Sequence, residues 1–567
     1  MSSNMLSRRH FLRLSSGVIL STAVTGCTLG GRPPALSAAR FDHGVASGDP
    51  LADGIMLWTR ATPAAGTAAA GTGPVSVAWE LAADADFREV LRDGVADTGP
   101  ARDYTVKIDV RDLEPGQTYY YRFRADGADS TTGRARTLPA AGARQVRLAV
   151  FSCSNYPAGY FYPYREAARR DDLDAFLHLG DYFYEYGAGG YATERSEELG
   201  RALPADNDGE LFTLTDYRRR YALYRSDADL QAMHAAAPCI SVWDDHEFAN
   251  DAWREGAQNH GPDEGDWQPR LLAGLQAYYE WMPIRPPAGE GSLRIYRSFD
   301  FGGLVALHML DTRLIGRDEQ LEYEDYIDER TGQLDRERFL ADLGSPARRL
   351  LGDAQREWLA GQLAQSSAPW QLLGQQILMA RMLMPAEMLG AASYADVPPI
   401  LEELARLKAA AEAGQSLSDA ELARLAAVTP YNLDAWDGYP VERELLYGAA
   451  QATGKRIVSL AGDTHNAWYA TLRDRSGTEV GIELATPSVS SPGMEAYFQM
   501  DTPTARQMAE ALPLLIDELN YCNLHQRGYL LVTATPDELR ADWTFVDSVQ
   551  TRDYSVAGTH TERFTRG

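Results

Sequence analysis

The sequence predicts an α/β domain preceded by a small all-β domain. Three observations carry this. Residues 40–140 contain short runs that alternate apolar and polar, such as Val75-Ser76-Val77-Ala78-Trp79-Glu80 and Tyr104-Thr105-Val106-Lys107-Ile108, the period of half-buried strands. From about residue 145 the strands become continuously apolar and a helical stretch intervenes, which suits strands covered on both faces. These later strands end in loops rich in Asp, Asn, His or Cys, the way α/β folds assemble sites.

In chain order, Ser7-Arg8-Arg9-His10-Phe11-Leu12 reads as a twin-arginine export signal. An apolar stretch from Leu14 to Val24 follows, broken by Ser and Gly and too short to span a bilayer. Residues 1–39 are therefore set apart as a targeting segment with the Tat export machinery as its partner. Its end has two readings. Val24-Thr25-Gly26-Cys27 resembles a lipobox, which would anchor the protein to a membrane by lipid alone at Cys27, and Ser37-Ala38-Ala39 also satisfies a small-residue cleavage rule. Residues 40–140 form the β domain. Within it Leu113-Glu114-Pro115-Gly116 and the run Tyr119-Tyr120-Tyr121 resemble the corner and following strand of a fibronectin- or immunoglobulin-like sandwich. A linker at Leu138-Pro139-Ala140-Ala141-Gly142 leads into the α/β domain, 141–550.

The strands of that domain are Val146–Phe151, 175–179, 239–243, 303–310 and 456–460, with a helix from Tyr164 to Asp171. A charged insert at 399–427 carries Leu401, Leu404 and Leu407 at helical spacing and is expected as a solvent-facing helix. Residues 551–567 are left as a C-terminal tail.

Composition narrows the function. The 567 residues are 45% hydrophobic and 24% charged, a globular balance that excludes disordered and fibrous chains. The net charge of −26 argues against a stable nucleic-acid partner, since no counterions would be released. The 4 cysteines, Cys27, Cys153, Cys239 and Cys522, are too widely spaced for a zinc knuckle and too few for a disulfide scaffold. Cys239 and Cys522 are open to two readings, free core thiols or one bridge.

Four strand-end loops hold the chemistry: Phe151-Ser152-Cys153-Ser154-Asn155, Leu179-Gly180-Asp181-Tyr182-Phe183-Tyr184-Glu185-Tyr186, Trp243-Asp244-Asp245-His246-Glu247-Phe248-Ala249-Asn250, and Ala461-Gly462-Asp463-Thr464-His465-Asn466. Taken singly, a lone Cys is usually a small core residue and a Gly-Asp is usually a turn. Asp-Asp-His-Glu beside a buried strand is harder to dismiss, because its mutual repulsion calls for cations or partners.

The ordered set resembles the calcineurin-like metallophosphoesterases, and within them the PhoD family of alkaline phosphatases and phosphodiesterases. Gly44-Val45-Ala46-Ser47-Gly48-Asp49-Pro50, Leu57-Trp58-Thr59-Arg60, Trp436-Asp437-Gly438-Tyr439 and Glu442-Arg443 also fit that family. The resemblance implies a metallophosphoesterase-type β-sandwich flanked by helices. It implies metal-assisted phosphoester hydrolysis in which a hydroxide held by the metals attacks in line. By the same resemblance Cys153 replaces the usual first Asp-x-His, Asp181 bridges two metals, Tyr184 is a tyrosinate ligand, and Asp245 replaces an amide ligand. Asn250 would be a further ligand, Asp463 and His465 stand for the closing Gly-His-x-His, and His246 is the catalytic imidazole facing the substrate.

Ligand chemistry then sorts the metals. Thiolate, carboxylate, phenolate and imidazole from Cys153, Asp181, Tyr184 and His465 suit Fe3+, while Asp181, Asp245 and Asp463, with Asn250, offer oxygen alone and suit Ca2+. The resemblance implies the same two metals. Gln375 and Gln376 lie where a further metal loop would fall and receive no role. The substrate expected is a phosphate mono- or diester and the location periplasmic or extracellular. Alternatives are a phosphodiesterase or phospholipase D-like enzyme, and an inactive lipid-anchored surface-binding protein.

Overall fold

The computed structural model describes residues 36–64, 73–287, 293–328, 330–391 and 393–566. The twin-arginine segment and Cys27 lie outside them.

Two large sheets pack face to face. The first has nine strands and holds Val146–Phe151, Ala175–His178 and Cys239–Ser241 as parallel neighbours. The second has seven strands, with Val305–Met309, Trp370–Gly374, Ile457–Ala461 and Glu479–Ala485 parallel in that order. One apolar core fills the space between them, with Val150, Leu177 and Ile240 of the first sheet beside Leu307, Leu372, Val458 and Leu484 of the second. These are the unbroken apolar runs of the sequence, and burial on both faces is why they lack alternation. Because the central strands run parallel, their C-terminal ends meet at one end of the sandwich, and the four polar loops meet with them.

The N-terminal β domain forms its sandwich with a difference. One sheet is its own, with Val75–Ala82 between Val90–Thr98 and Thr118–Ala125. The other is built from Val45–Gly48, Ile55–Arg60 and Thr105–Val110, and it continues the nine-stranded sheet, Val45–Gly48 lying parallel to Cys239–Ser241. The expected corner is present: Tyr119 Oη accepts from the Glu114 N–H at 2.9 Å and donates to the Glu114 carbonyl at 3.2 Å. The seam is polar and tight. Asp49 accepts from the Arg285 N–H at 2.8 Å and from Arg297 Nη2 at 2.6 Å, and Trp58 Nε1 donates to the Glu280 carbonyl at 2.8 Å. A Cβ on Gly48 would sit 2.3 Å from the Pro283 carbonyl oxygen, so this strand accepts nothing larger at its point of contact.

Residues 551–567 were expected as a tail; instead Val556–Thr565 pairs antiparallel along Glu538–Val546 and closes one edge of the nine-stranded sheet. Its alternation is masked in sequence because only one face is half buried. The insert forms Val397–Glu412 and Asp419–Ala426, with Leu401 and Leu404 fully buried, so the apolar stripe is a packing face. Cys239 and Cys522 are free buried thiols, which settles that pair against a bridge.

Candidate metal centre

Three of the four loops turn sharply where their strands stop. Cys153, Asp181, Asp463 and His465 all adopt left-handed backbone, at φ of 59°, 53°, 58° and 61°. Residues with a Cβ rarely do so, at a cost of about 1–3 kcal/mol each, and the conformation persists where surrounding structure dictates it. The turn at Gly180-Asp181 also answers a question of spacing. On a straight strand Asp181 and Tyr184 would point to opposite faces. Here Gly180, at φ 110°, bends the chain so that both point inward. A Cβ on Gly180 would meet the Asp244 Cβ at 2.3 Å, so the second and third loops approach this closely only over glycine.

The side chains assemble into linked groups. Donor atoms of Cys153, Asp181 and His465 lie within 4.8 Å of one another, as do those of Asp181, Asp245 and His246, and those of Asp244, Asp245 and Asp463. Tyr184 Oη stands 3.0 Å from Asp181 Oδ2 and 3.0 Å from His465 Nε2, and accepts from Ser491 Oγ at 2.7 Å. Asp181 therefore belongs to both halves of the centre. His465 Nδ1 faces the Pro492 carbonyl at 2.7 Å; a carbonyl only accepts, so Nδ1 carries the proton and Nε2 presents its lone pair to the cluster. Burial pushes His465 down to about 3, which keeps it a neutral donor.

The donor set fits cations. Asp181 Oδ1 and Asp244 Oδ2 are buried without a hydrogen-bond partner. Burial first, then the neighbouring carboxylates, pushes Asp181 well above the usual carboxylate range, and burial with the charge of Asp181 pushes the Cys153 thiol up. So many buried acidic groups are unfavourable together unless positive charge joins them.

Part of that charge is built in. Arg313, fully buried, donates through Nε to Asp244 Oδ1 and through Nη1 to Asp434 at 2.7 and 2.8 Å. Its Nη2 has no hydrogen-bond partner and lies 3.5 Å from Asp463 Oδ1 and 3.7 Å from Asp245 Oδ1. Burial resists ionisation of Asp245, but Arg313 and His246 outweigh it and hold Asp245 down to about 2.

His246 sits 2.6 Å through Nδ1 from Glu185 Oε2, and Glu185 also accepts from the Asn250 N–H at 2.8 Å and Asn259 Nδ2 at 2.8 Å. Burial opposes a charge on His246, yet Asp245, Glu185 and Asp181 together raise it well above the ordinary imidazole range. Glu247 ties the loops together, accepting from the N–H groups of Asp181 at 3.1 Å, Tyr182 at 2.6 Å and Asp244 at 2.8 Å.

Of the residues expected at the site, Cys153, Asp181, Tyr184, Asp245, His246, Asp463 and His465 are brought together. Asn250 has a different place: its side-chain amide donates to Gln258 at 3.0 Å, and it serves the centre through its main-chain N–H to Glu185. The chain still runs beside the cluster there, the Asp251 N–H donating to Asp245 Oδ2 at 2.6 Å, but the Asn250 side chain turns away from it to Gln258. Gln375 and Gln376 are internal braces, Gln376 Nε2 donating to the Trp243 carbonyl at 2.6 Å and Gln375 Oε1 accepting from Trp436 Nε1 at 3.0 Å. The sequence reading missed Glu185, Tyr191, Arg313 and Asp434, and gave Glu247 no role of its own although it singled out the Asp-Asp-His-Glu run. Arg313 had a signal, since Asp311-Thr312-Arg313 also follows an apolar strand. Glu185 had one too, as the single acid in an aromatic run. Asp434 and Tyr191 had none.

The profile of the PhoD-like phosphatases matches residues 148–543, and that of their N-terminal domain residues 28–139. The chain belongs to the PhoD-like phosphatase family. Alkaline phosphatase D of Bacillus subtilis (strain 168) is 33% identical over 564 residues, spanning 95% of this chain and 84% of that protein. A solved structure of PhoD superposes with a TM-score of 0.73 at 30% identity, covering 94% of this chain and 92% of the other. The activity of the chain is accordingly that of a phosphatase, and the clustered loops lie within the matched segment.

Proposed function

We propose that the protein is an exported, metal-dependent phosphoester hydrolase acting on monoesters and diesters. In this reading Cys153, Asp181, Tyr184 and His465 hold Fe3+, and Asp181, Asp245 and Asp463 hold Ca2+. The observation that carries it is Asp181, whose carboxylate groups with Cys153, Tyr184 and His465 on one side and with Asp245 and His246 on the other, Asp245 in turn joining it to the all-oxygen group of Asp244 and Asp463. When bound, the cations would offset phosphoryl charge and acidify the attacking water.

The remaining work falls to the chain. His246, held as an imidazolium by Glu185, is placed to give a proton to the departing alkoxide. Glu185 fixes the ring through Nδ1 and is itself fixed by Asn250 and Asn259. Arg313 pairs with Asp244 and lends positive charge where an anion must enter an acidic protein. Export rests on the Arg8-Arg9 pair and the weak apolar stretch behind it.

The test is hydrolysis of a nitrophenyl monoester and of the bis-ester, before and after a calcium chelator, with metal analysis of the exported protein. Both esters should be cleaved, the chelator should abolish turnover, and added calcium should restore it. Full activity after exhaustive chelation refutes the calcium assignment.

A further inference from the structure

We propose that Tyr497 and Tyr394, continuing outward from Tyr191, form a subsite for a planar aromatic arm of the phosphoester substrate, of the nucleobase kind. The inference rests on the phosphoester-hydrolase reading and adds the class of group that the phosphate carries.

The rings begin at the metal centre. Tyr191 stacks on His465, with centroids 6.1 Å apart and planes at 27°, and donates to the Pro492 carbonyl at 3.0 Å. Tyr184 lies 5.5 Å and Tyr186 6.1 Å from the same ring. Tyr497 continues the stack at 6.4 Å and 12°, its hydroxyl donating to that of Tyr191 at 3.4 Å. Phe498 follows, 6.1 Å from Tyr394. Tyr497 is 47% exposed and Tyr394 67%, the most open large apolar side chain among the described residues.

These rings flank the way in. Asp463 is the most open carboxylate of the all-oxygen group, with 20% of its side chain exposed, against 1% for Asp244 and 3% for Asp245. Tyr497 reaches the centre through Tyr191, whose hydroxyl lies 3.1 Å from His465 Nδ1. Two separate segments supply the rings: the turn Tyr394–Asp396 and the helix Met494–Tyr497 that follows the Pro492 anchor of His465.

With the phosphoryl group at the cluster, the path proposed for the ester arm runs past Asp463, its most open carboxylate, and over these rings. A second anionic group there would meet Asp463 and the net charge of −26. A neutral planar arm meets aromatic faces and phenol hydroxyls, and stacking of a base on an aromatic side chain contributes about 1–3 kcal/mol, or roughly 5- to 150-fold in affinity.

The test compares adenosine 5′-monophosphate with ribose 5-phosphate, which share the scissile bond and differ in the base. The wild-type KM should be roughly 5- to 150-fold lower for the nucleotide. Tyr497→Leu, alone and with Tyr394→Leu, should collapse that ratio through KM, and Tyr497→Phe should keep it. Equal KM values in the wild type, or a ratio untouched in the double variant, overturn the subsite. If the wild type cleaves neither these nor the nitrophenyl esters, the phosphoester reading itself falls.

Discussion

Tyr184 and His246 show how single side chains acquire roles from the loops that carry them. The Tyr184 hydroxyl lies against both Asp181 and His465, and burial with the charge of Asp181 pushes its phenol well above the usual range. Only a strongly charged cation would draw the proton off so buried a phenol. A ferric phenolate gives a visible band, so the purified protein should be coloured, and Tyr184→Phe should bleach or strongly shift the band while the fold survives. Tyr182→Phe should leave it alone, because Tyr182 Oη is engaged 2.8 Å from His234 Nε2 in the core. An unchanged spectrum and iron content in Tyr184→Phe would reduce that residue to packing. For His246→Ala, turnover should fall by roughly 10²–10⁴-fold, the range for a lost general acid, with metal content kept. Glu185→Gln should lower turnover less and displace the alkaline limb of the pH profile downward, since it removes a charge that holds the imidazolium. Loss of the metals with His246 would make it a ligand.

At the scale of elements, the C-terminal strand is the clearest case. Val556–Thr565 turns alternate residues onto the other sheet: His560 stacks on Tyr521 at 3.5 Å and 3°, and Phe564 meets Tyr469 at 5.2 Å. Tyr521 and Tyr469 belong to strands Leu519–Asn523 and Ala467–Arg473 of the seven-stranded sheet, so this edge strand latches the two sheets together. Deleting residues 556–567 removes two aromatic pairs, about 1–3 kcal/mol in all, and bares the edge of Glu538–Val546 to other chains. The truncated protein should melt several degrees lower and aggregate on heating, yet keep its specific activity in the cold, because the strand lies apart from the loops. A melting temperature equal to that of the full chain would show that the latch contributes nothing.

For the whole molecule, the acidic cluster couples stability to pH and to cations. Burial and then like charge push Asp244 up to about 7 and Asp251 to about 8, with Asp181 and Asp463 also raised. Groups whose folded pKa is raised bind protons better folded than unfolded, so their stabilisation is present at low pH and is lost as pH climbs from about 4 through about 8. Glu185 and Asp245, held low, act oppositely, but only at the acid end of that window. The cation-free protein should therefore lose melting temperature between about pH 5 and pH 8, and calcium should raise it by an increment that grows with pH. An increment that is flat or shrinks with pH would remove these carboxylates from the calcium site.

By itself the sequence determined the α/β class, the β-sandwich corner at Tyr119 and the four polar strand-end loops, because an apolar strand followed by an acid or imidazole is a local pattern, while the part expected of each side chain in those loops came from the family resemblance. Tertiary structure decided the rest. Arg313 meets Asp434 across 121 positions and Asp244 across 69, and nothing local records such a meeting. Asn250 shares its loop with Asp245 and its side chain still misses the cluster, since a strand end fixes the first residues of a loop and not the aim of the side chains beyond them. The N-terminal sandwich looked separate because its alternation is real on one sheet, while its other sheet continues the catalytic one through the contact of Val45–Gly48 with Cys239–Ser241. Local periodicity reports which face of a strand is buried; which strand lies beside it is settled only by the packing of the whole chain.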